Sequence, residues 1–335
     1  MTEFFEFYGL RVEVLSDHAE LLHEIRRDFA WFSAGTATAG SPRMDVTIRF
    51  EDPPYSSLPS VPASVITPRN VSFRDGDVSY VDYFGRGLAI VNAKAGTCVI
   101  FGTDFDLVRE IAYLFLLSTV GQHLDRIGKH RVHAMGVNYK GHGILLLLPS
   151  GGGKSTMTMA LLGEPDFTIL SEDTPLLDRS GRIHPFPLRL GFRNDGGSEV
   201  PEEQRRTLNR MEFDPKTFVD VDFFRHKVSE PVDVGLVLIG ERNSGSGSSI
   251  TRLSRRRAMH GVIKYLVVGL GVYQGLEFLL ERGLGDMLSK RGVVTSRFRN
   301  GVTLLRRASS WKFVLGRDTA LNTQTLISFI RQQYD

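Results

Sequence analysis

Midway along the chain an apolar run, Ile144 to Leu148, ends at Pro149 and gives way to Ser150-Gly151-Gly152-Gly153-Lys154-Ser155-Thr156. Helical character resumes at once with MTMALL. A strand, a glycine-rich loop and a helix in direct succession form the context of a phosphate-binding P-loop. Glycines let successive backbone N–H groups turn inward onto phosphate oxygens, and the helix N-terminus adds partial positive charge. In such a loop Lys154 would reach the β- and γ-phosphates, and the Ser155 hydroxyl would ligate Mg²⁺. The pattern G-x-x-x-x-G-K-[ST] is matched except at its first position, where Leu148 stands. The extra glycines at 151 and 152 offer local compensation.

The segments around the loop add to this reading. Upstream, VHAMGVNY and ILLLLP flank Lys140-Gly141-His142-Gly143 and read as a β-hairpin, with His133 on its first strand. Downstream, a strand over Phe167–Leu170 runs into Ser171-Glu172-Asp173, nineteen residues after Lys154. Ligands bind at the carboxyl ends of strands in open α/β sheets, so this acid pair can face the same phosphates. One acid would hold Mg²⁺, and the other could accept the proton of an attacking hydroxyl. Arg189 and Arg193, in HPFPLRLGFR, are candidates for stabilising charge on a transferring phosphate. An ordinary surface role is the alternative for each of them. The run Arg255–Arg257 reads as a solvated helix start.

The chain is 335 residues long, which suggests two domains. Residues 1–103 read as a smaller α/β unit of unknown role. Its expected elements are a strand over Phe7–Leu15 and a helix over Glu20–Phe32 capped by Asp17. A strand over Met44–Phe50, a loop over Asp52–Asn70 and a meander of four short strands follow. A helix from Asp104 or Asp106 to Ile127, apolar almost all round, would stand at the seam with residues 104–335. The Ser/Gly-rich run Asn243–Ser249 reads as a flexible hairpin tip.

Charge and cysteine content bound the partners. The 41 basic and 38 acidic side chains leave a formal charge of +3. A dedicated nucleic-acid binder carries a larger and more clustered excess, so no nucleic-acid partner is expected. No apolar stretch reaches the roughly 20 residues of a membrane span. The single Cys98 excludes an intramolecular disulfide and fits a reducing compartment, so a cytoplasmic protein is expected.

Taken together, VHAMGV, the hairpin, LPSGGGKST, ILSEDTP and PFPLRLGFR resemble the HPr kinase/phosphorylase family and its P-loop relatives, which share a core with phosphoenolpyruvate carboxykinases. The resemblance covers residues 130–195. It implies a P-loop nucleotide-binding core with a mixed sheet, an α/β fold, beside the smaller N-terminal domain. His133 matches the histidine beside the phosphate site. Ser150, Gly151, Gly153, Lys154 and Ser155 match the phosphate loop, with Gly152 and Thr156 inside the same run. Glu172 and Asp173 match an acid pair for metal binding and proton transfer, and Arg189 lies in a loosely matching Leu-x-x-Arg-Gly-like run. Leu148, Thr156 and Glu172 depart from the family pattern at a glycine, an acid and an aspartate.

The expected function is therefore an ATP- and Mg²⁺-dependent kinase acting on a hydroxyl acceptor, preferably Ser or Thr of a protein or peptide. A small-molecule acceptor and a nucleotide-binding sensor or scaffold without transfer are the alternatives. Self-association as a homo-oligomer stays open.

Overall fold

The computed structural model describes residues 1–35, 42–149, 151–192, 197–210, 213–268 and 291–335. These form a mixed α/β protein with three sheets. They divide into two compact units. The first holds residues 1–123 and 207–216, and the second holds 124–206, 217–268 and 292–335.

In the first unit, β1 (Thr2–Phe7) and β2 (Leu10–Ser16) form an antiparallel hairpin. One continuous strand over Phe7–Leu15 was expected. Tyr8 and Gly9 instead take positive φ, 52° and 87°, and turn the chain in the type I′ manner that suits a two-residue hairpin. Helix α1 (Ala19–Asp28) is capped by the His18 ring, which accepts from the Leu21 N–H, and not by Asp17. It stops short of Phe32, and a single 3₁₀ turn covers Ala30–Phe32. The strands β3 (Arg43–Arg49), β4 (Ala63–Ile66), β5 (Val71–Asp75), β6 (Val78–Asp82), β7 (Gly87–Asn92) and β8 (Thr97–Gly102) complete an eight-stranded sheet. Its order is β1-β2-β3-β8-β7-β6-β5-β4. The expected meander is its antiparallel part, and β4 lies inside the stretch expected to be loop.

Helix α2 (Phe105–Arg126) starts where Asp104 Oδ1 accepts the Leu107 N–H at 3.1 Å. Residues Leu107, Val108, Ile111, Ala112, Leu116 and Val120 are all buried, as its all-round apolar pattern requires. It packs close to the sheet. A Cβ on Gly87 would touch Ile111 and Leu107, and one on Gly102 would strike Val108. These contacts place 104–123 with the first unit, whereas the sequence suggested a boundary after residue 103.

The second unit contains β9 (His130–Arg131), β10 (Met135–Tyr139), β11 (His142–Leu147), α3 (Lys154–Leu162), β12 (Phe167–Ser171), β13 (Leu176–Leu177) and β14 (Arg182–His184). It continues with β15 (Leu190–Phe192), and β16 (Arg205–Arg210) and β17 (Phe213–Val219) follow along the chain. Next come α4 (Val221–Phe224), β18 (Val232–Arg242), β19 (Ser249–Arg252), α5 (Arg255–Val262), α6 (Arg291–Arg307), β20 (Ser309–Leu315) and α7 (Thr319–Tyr334). The nine-stranded sheet is centred on β18, which pairs in parallel with β11 on one side and β20 on the other. A three-stranded sheet has the order β15-β17-β16.

Both faces of the nine-stranded sheet are covered, which explains why ILLLLP is continuously apolar rather than alternating. Leu145 and Leu147 face a core with Ala258, Val262, Leu304 and Leu305 of α5 and α6. Ile144, Leu146 and Leu148 face the opposite core, with Met157 and Leu161 of α3 and Leu326 and Ile330 of α7.

The run Asn243–Ser249 is not a hairpin tip, because β18 and β19 do not pair with each other. Strand β20 lies between them, parallel to β18 and antiparallel to β19. The run arches over the end of β20, with the Arg317 N–H donating to Gly245 O at 2.8 Å. Arg255–Arg257 open α5 as exposed side chains. Among the described residues no helix is long and apolar enough to cross a membrane.

Candidate active site

Topology brings three distant segments to one edge of the nine-stranded sheet. Strand β10 is antiparallel to both β11 and β12, so β11 and β12 end at the edge where β10 begins. Register sharpens this convergence. Met135 opposes Leu146, and Gly136 opposes Ser171. His133, Leu148 and Asp173 therefore lie just beyond paired positions on three neighbouring strands. His133 itself is not on a strand. It occupies the bend between β9 and β10, where its N–H donates to Tyr265 O at 3.1 Å and the Ala134 N–H donates to Asp173 O at 3.1 Å.

The glycine-rich turn follows β11. Gly152 N–H donates to Pro149 O at 3.0 Å, while Gly151 and Gly153 take φ of +74° and +94°. Those two positions need glycine for conformation. Gly152 needs it for space, because an added Cβ would collide with the Leu148 side chain and lie 2.8 Å from Pro149 O. Gly153 caps α3, so Lys154 and Ser155 open the helix. Thr156 is exposed in its first turn. Ser150 and Arg193 lie outside the described residues.

Lys154 is 5% exposed, and its ammonium is held at three points. It donates to Leu148 O at 3.0 Å, lies 3.1 Å from Asp173 Oδ1 and lies 3.3 Å from His133 Nε2. An ammonium has no acceptor, so Nε2 accepts and the His133 ring proton sits on Nδ1. That nitrogen lies 3.3 Å from Asp173 Oδ1, off line, so its N–H dipole meets the carboxylate without an aligned hydrogen bond. The Asp173 side chain is 33% exposed. Burial alone would raise its carboxyl, but the His133 ring and the Lys154 ammonium outweigh that and hold it down to about 2. Asp173 is thus an anion at every ordinary pH, with one side turned to solvent.

A second pair stands beside the first. The Ser155 hydroxyl lies 2.8 Å from Glu172 Oε1 and 2.8 Å from the carbonyl of Gly191 on β15. Hydroxyl and carboxylate oxygens are the hard donors that Mg²⁺ accepts, with water and phosphate oxygens completing the shell. Among the described residues no group of three or more His, Cys, Asp or Glu could hold a metal. Ser155 and Glu172 would therefore have to share an ion with its ligand. Arg189 precedes β15, and its guanidinium stacks 4.3 Å from the Phe218 ring centroid.

The sequence pointed to His133, Gly151–Gly153, Lys154, Ser155, Glu172 and Asp173, and the structure brings these together. It gave no sign of the carbonyls of Leu148, Gly191 and Tyr265, since a carbonyl carries no residue-type signal. Gly240 was also missed. A Cβ there would collide with Leu148 Cδ1. No protein family matches the chain, and no curated protein matches it.

Proposed function

We propose that this chain is an ATP- and Mg²⁺-dependent kinase that transfers the γ-phosphoryl group to a hydroxyl acceptor through a P-loop. The observation that carries the reading is the Lys154–Asp173 contact of 3.1 Å beside a turn whose glycines take positive φ, with Ser155 and Glu172 adjacent. A cation for phosphate, a turn able to present N–H groups and a hydroxyl–carboxylate pair for Mg²⁺ then share one sheet edge.

In this reading the glycine turn binds the β- and γ-phosphates, and Lys154 joins it by exchanging one of its three contacts for a phosphate oxygen. Ser155 and Glu172 hold Mg²⁺, which neutralises charge on the phosphate oxygens when bound. Asp173 accepts a hydrogen bond from the acceptor hydroxyl and orients its oxygen toward the γ-phosphorus. The new O–P bond forms as the bond from the γ-phosphorus to the β–γ bridging oxygen breaks, and ADP leaves. The hydroxyl proton passes to Asp173. A carboxylate held below the ordinary aspartate range is a weak base, so the proton moves late, once bonding to phosphorus has made the acceptor oxygen acidic. The contacts of His133 with Lys154 and Asp173 keep the two charges in fixed relation.

The preference for Ser or Thr of a protein or peptide rests on the resemblance to HPr-kinase-related proteins. Lys154→Ala tests the kinase reading, with labelled ATP offered to protein, peptide and metabolite acceptors. Transfer should vanish while the melting transition stays cooperative. Normal turnover by that variant would remove the P-loop from the mechanism.

A further inference from the structure

The kinase reading uses no side chain beyond Asp173, yet α6 sends two buried polar side chains, Arg297 and Asn300, toward the segments that carry the site. Arg297 is 1% exposed and makes a two-pronged pair with Asp125, its Nη2 lying 2.8 Å from Oδ1 and 2.9 Å from Oδ2. Its other arm, Nη1, donates to Leu266 O at 2.9 Å. Leu266 lies in a π-helical turn, Ile263–Val267. The preceding carbonyl, Tyr265 O, accepts the His133 N–H. The Tyr265 ring also lies 5.9 Å from the His133 ring, centroid to centroid. One turn along α6, Asn300 Nδ2 donates to Leu177 O at 3.1 Å and Gly128 O at 3.2 Å. Leu177 and Gly128 flank the site in sequence, after Asp173 and before His133.

We propose that Arg297 is a positioning residue for His133, acting through the π-helical turn, and that Asn300 steadies the strands on either side. A π-turn is a local departure from α-helical bonding that recurs at functional sites, and here the Val268 N–H bonds Ile263 O five residues back. The guanidinium adds a side-chain anchor at Leu266 O, next to the carbonyl that holds His133, and Asp125 fixes the guanidinium. His130 completes the assembly. Its Nδ1 lies 2.8 Å from Asp125 Oδ1 and its Nε2 lies 2.8 Å from Ser296 Oγ. Ser296, His130 and Asp125 stand in the hydrogen-bond order of a nucleophilic triad. However, His130 is wholly enclosed and Asp125 is neutralised by Arg297, so the group braces rather than reacts.

The proposal rests on the kinase reading for its catalytic consequence only, so the experiment has two readouts. Arg297→Lys keeps a cation for Asp125 and loses the arm that reaches Leu266. The double variant Asp125→Asn/Arg297→Met removes both charges, leaves no buried ion unpaired and serves if the first does not fold. The first readout is the ring spectrum of isotopically labelled histidine, with His133 assigned by His133→Gln. The wild type should show the Nδ1–H tautomer at His133, and either variant should shift those signals. The second readout is kinetic. The nucleotide KM should stay within about twofold while kcat falls about tenfold or more, as for a displaced catalytic group. Unmoved His133 signals in a folded variant overturn the proposal, and so does a wild-type kcat. If the wild type transfers no phosphate, the kinase reading fails and the ring spectrum still decides the brace.

Discussion

Gly240→Ala is the sharpest test of how the glycine turn is held. Gly240 lies on β18 beside the end of β11, and an added Cβ would meet Leu148 Cδ1 well inside 3.0 Å. It would also stand 3.3 Å from Leu147 O and 3.4 Å from Leu148 Cβ. Reaching ordinary contact demands a displacement of about 1 Å, and overpacking of that kind costs about 1–3 kcal/mol. Leu148 cannot yield toward the turn, because its Cγ and Cδ2 already fill the space that a Cβ on Gly152 would take. Leu148→Ala alone should cost about 2–5 kcal/mol by leaving a cavity. In the double variant Leu148→Ala/Gly240→Ala the new methyl enters the space the leucine vacates. The two losses should then fall short of additivity by about 1 kcal/mol or more. Urea unfolding of the four proteins closes the cycle without any assumption about activity. Losses that add within about 0.5 kcal/mol would refute the packing argument.

Two further outcomes concern the carboxylates. Asp173→Asn keeps the shape of the side chain and removes its charge, so phosphoryl transfer should fall by about 10²-fold or more while nucleotide affinity largely survives. Unimpaired transfer would remove Asp173 from the proton-transfer role. Asp173 and Asp178 are both held at about 2, and for Asp178 the His184, Ser180 and Arg182 hydrogen bonds outweigh burial, which alone would raise it. Both therefore bind protons more readily in the unfolded chain, where aspartate titrates near about 3.9. Their contribution to stability is complete above that value and is lost as pH falls toward about 2. Urea midpoints should drop over that window, and Asp178→Asn should flatten part of the fall. A midpoint independent of pH there would contradict both assignments.

The parts legible in the sequence are those encoded locally. The strand, glycine turn and helix from Ile144 to Leu162 announce themselves because apolar run, glycines and helix formers are contiguous. Asp104 caps α2 as its position before the apolar run suggests. In FFEFYGLRVEVL the buried set moves from Phe5 and Phe7 to Leu10, Val12 and Val14, so the one sign of the turn at Tyr8–Gly9 is a single shift of phase inside an otherwise strand-like run. The other misreading depends on long-range pairing. Asn243–Ser249 looks like a hairpin tip because glycine and serine mark turns, but nothing local says that β20 will slot between β18 and β19. The site divides in the same way. Lys154 and Ser155 are visible from the loop. The meeting of His133 with Asp173 follows from β10 pairing with both β11 and β12, which no spacing along the chain encodes. Arg297 and Asn300 act on backbone carbonyls, and their types carry no trace of that role.

Leu148 shows how a departure from a motif can be absorbed by packing. A glycine there would leave a gap in the core formed by Leu146, Met157 and Leu161, because position 148 continues the alternation of β11 toward α3. Leucine fills that gap, and only its carbonyl turns toward the site, where it holds the Lys154 ammonium at 3.0 Å. The space a side chain needs at 148 is supplied by the missing side chains of Gly152 and Gly240. The glycine requirement has therefore moved, from the end of the strand to the turn and to the neighbouring strand. The backbone freedom a phosphate loop needs is retained at Gly151 and Gly153, whose φ values are +74° and +94°. A leucine at the first motif position therefore leaves the conformation of the glycine turn intact in this chain, provided that both flanking glycines are present.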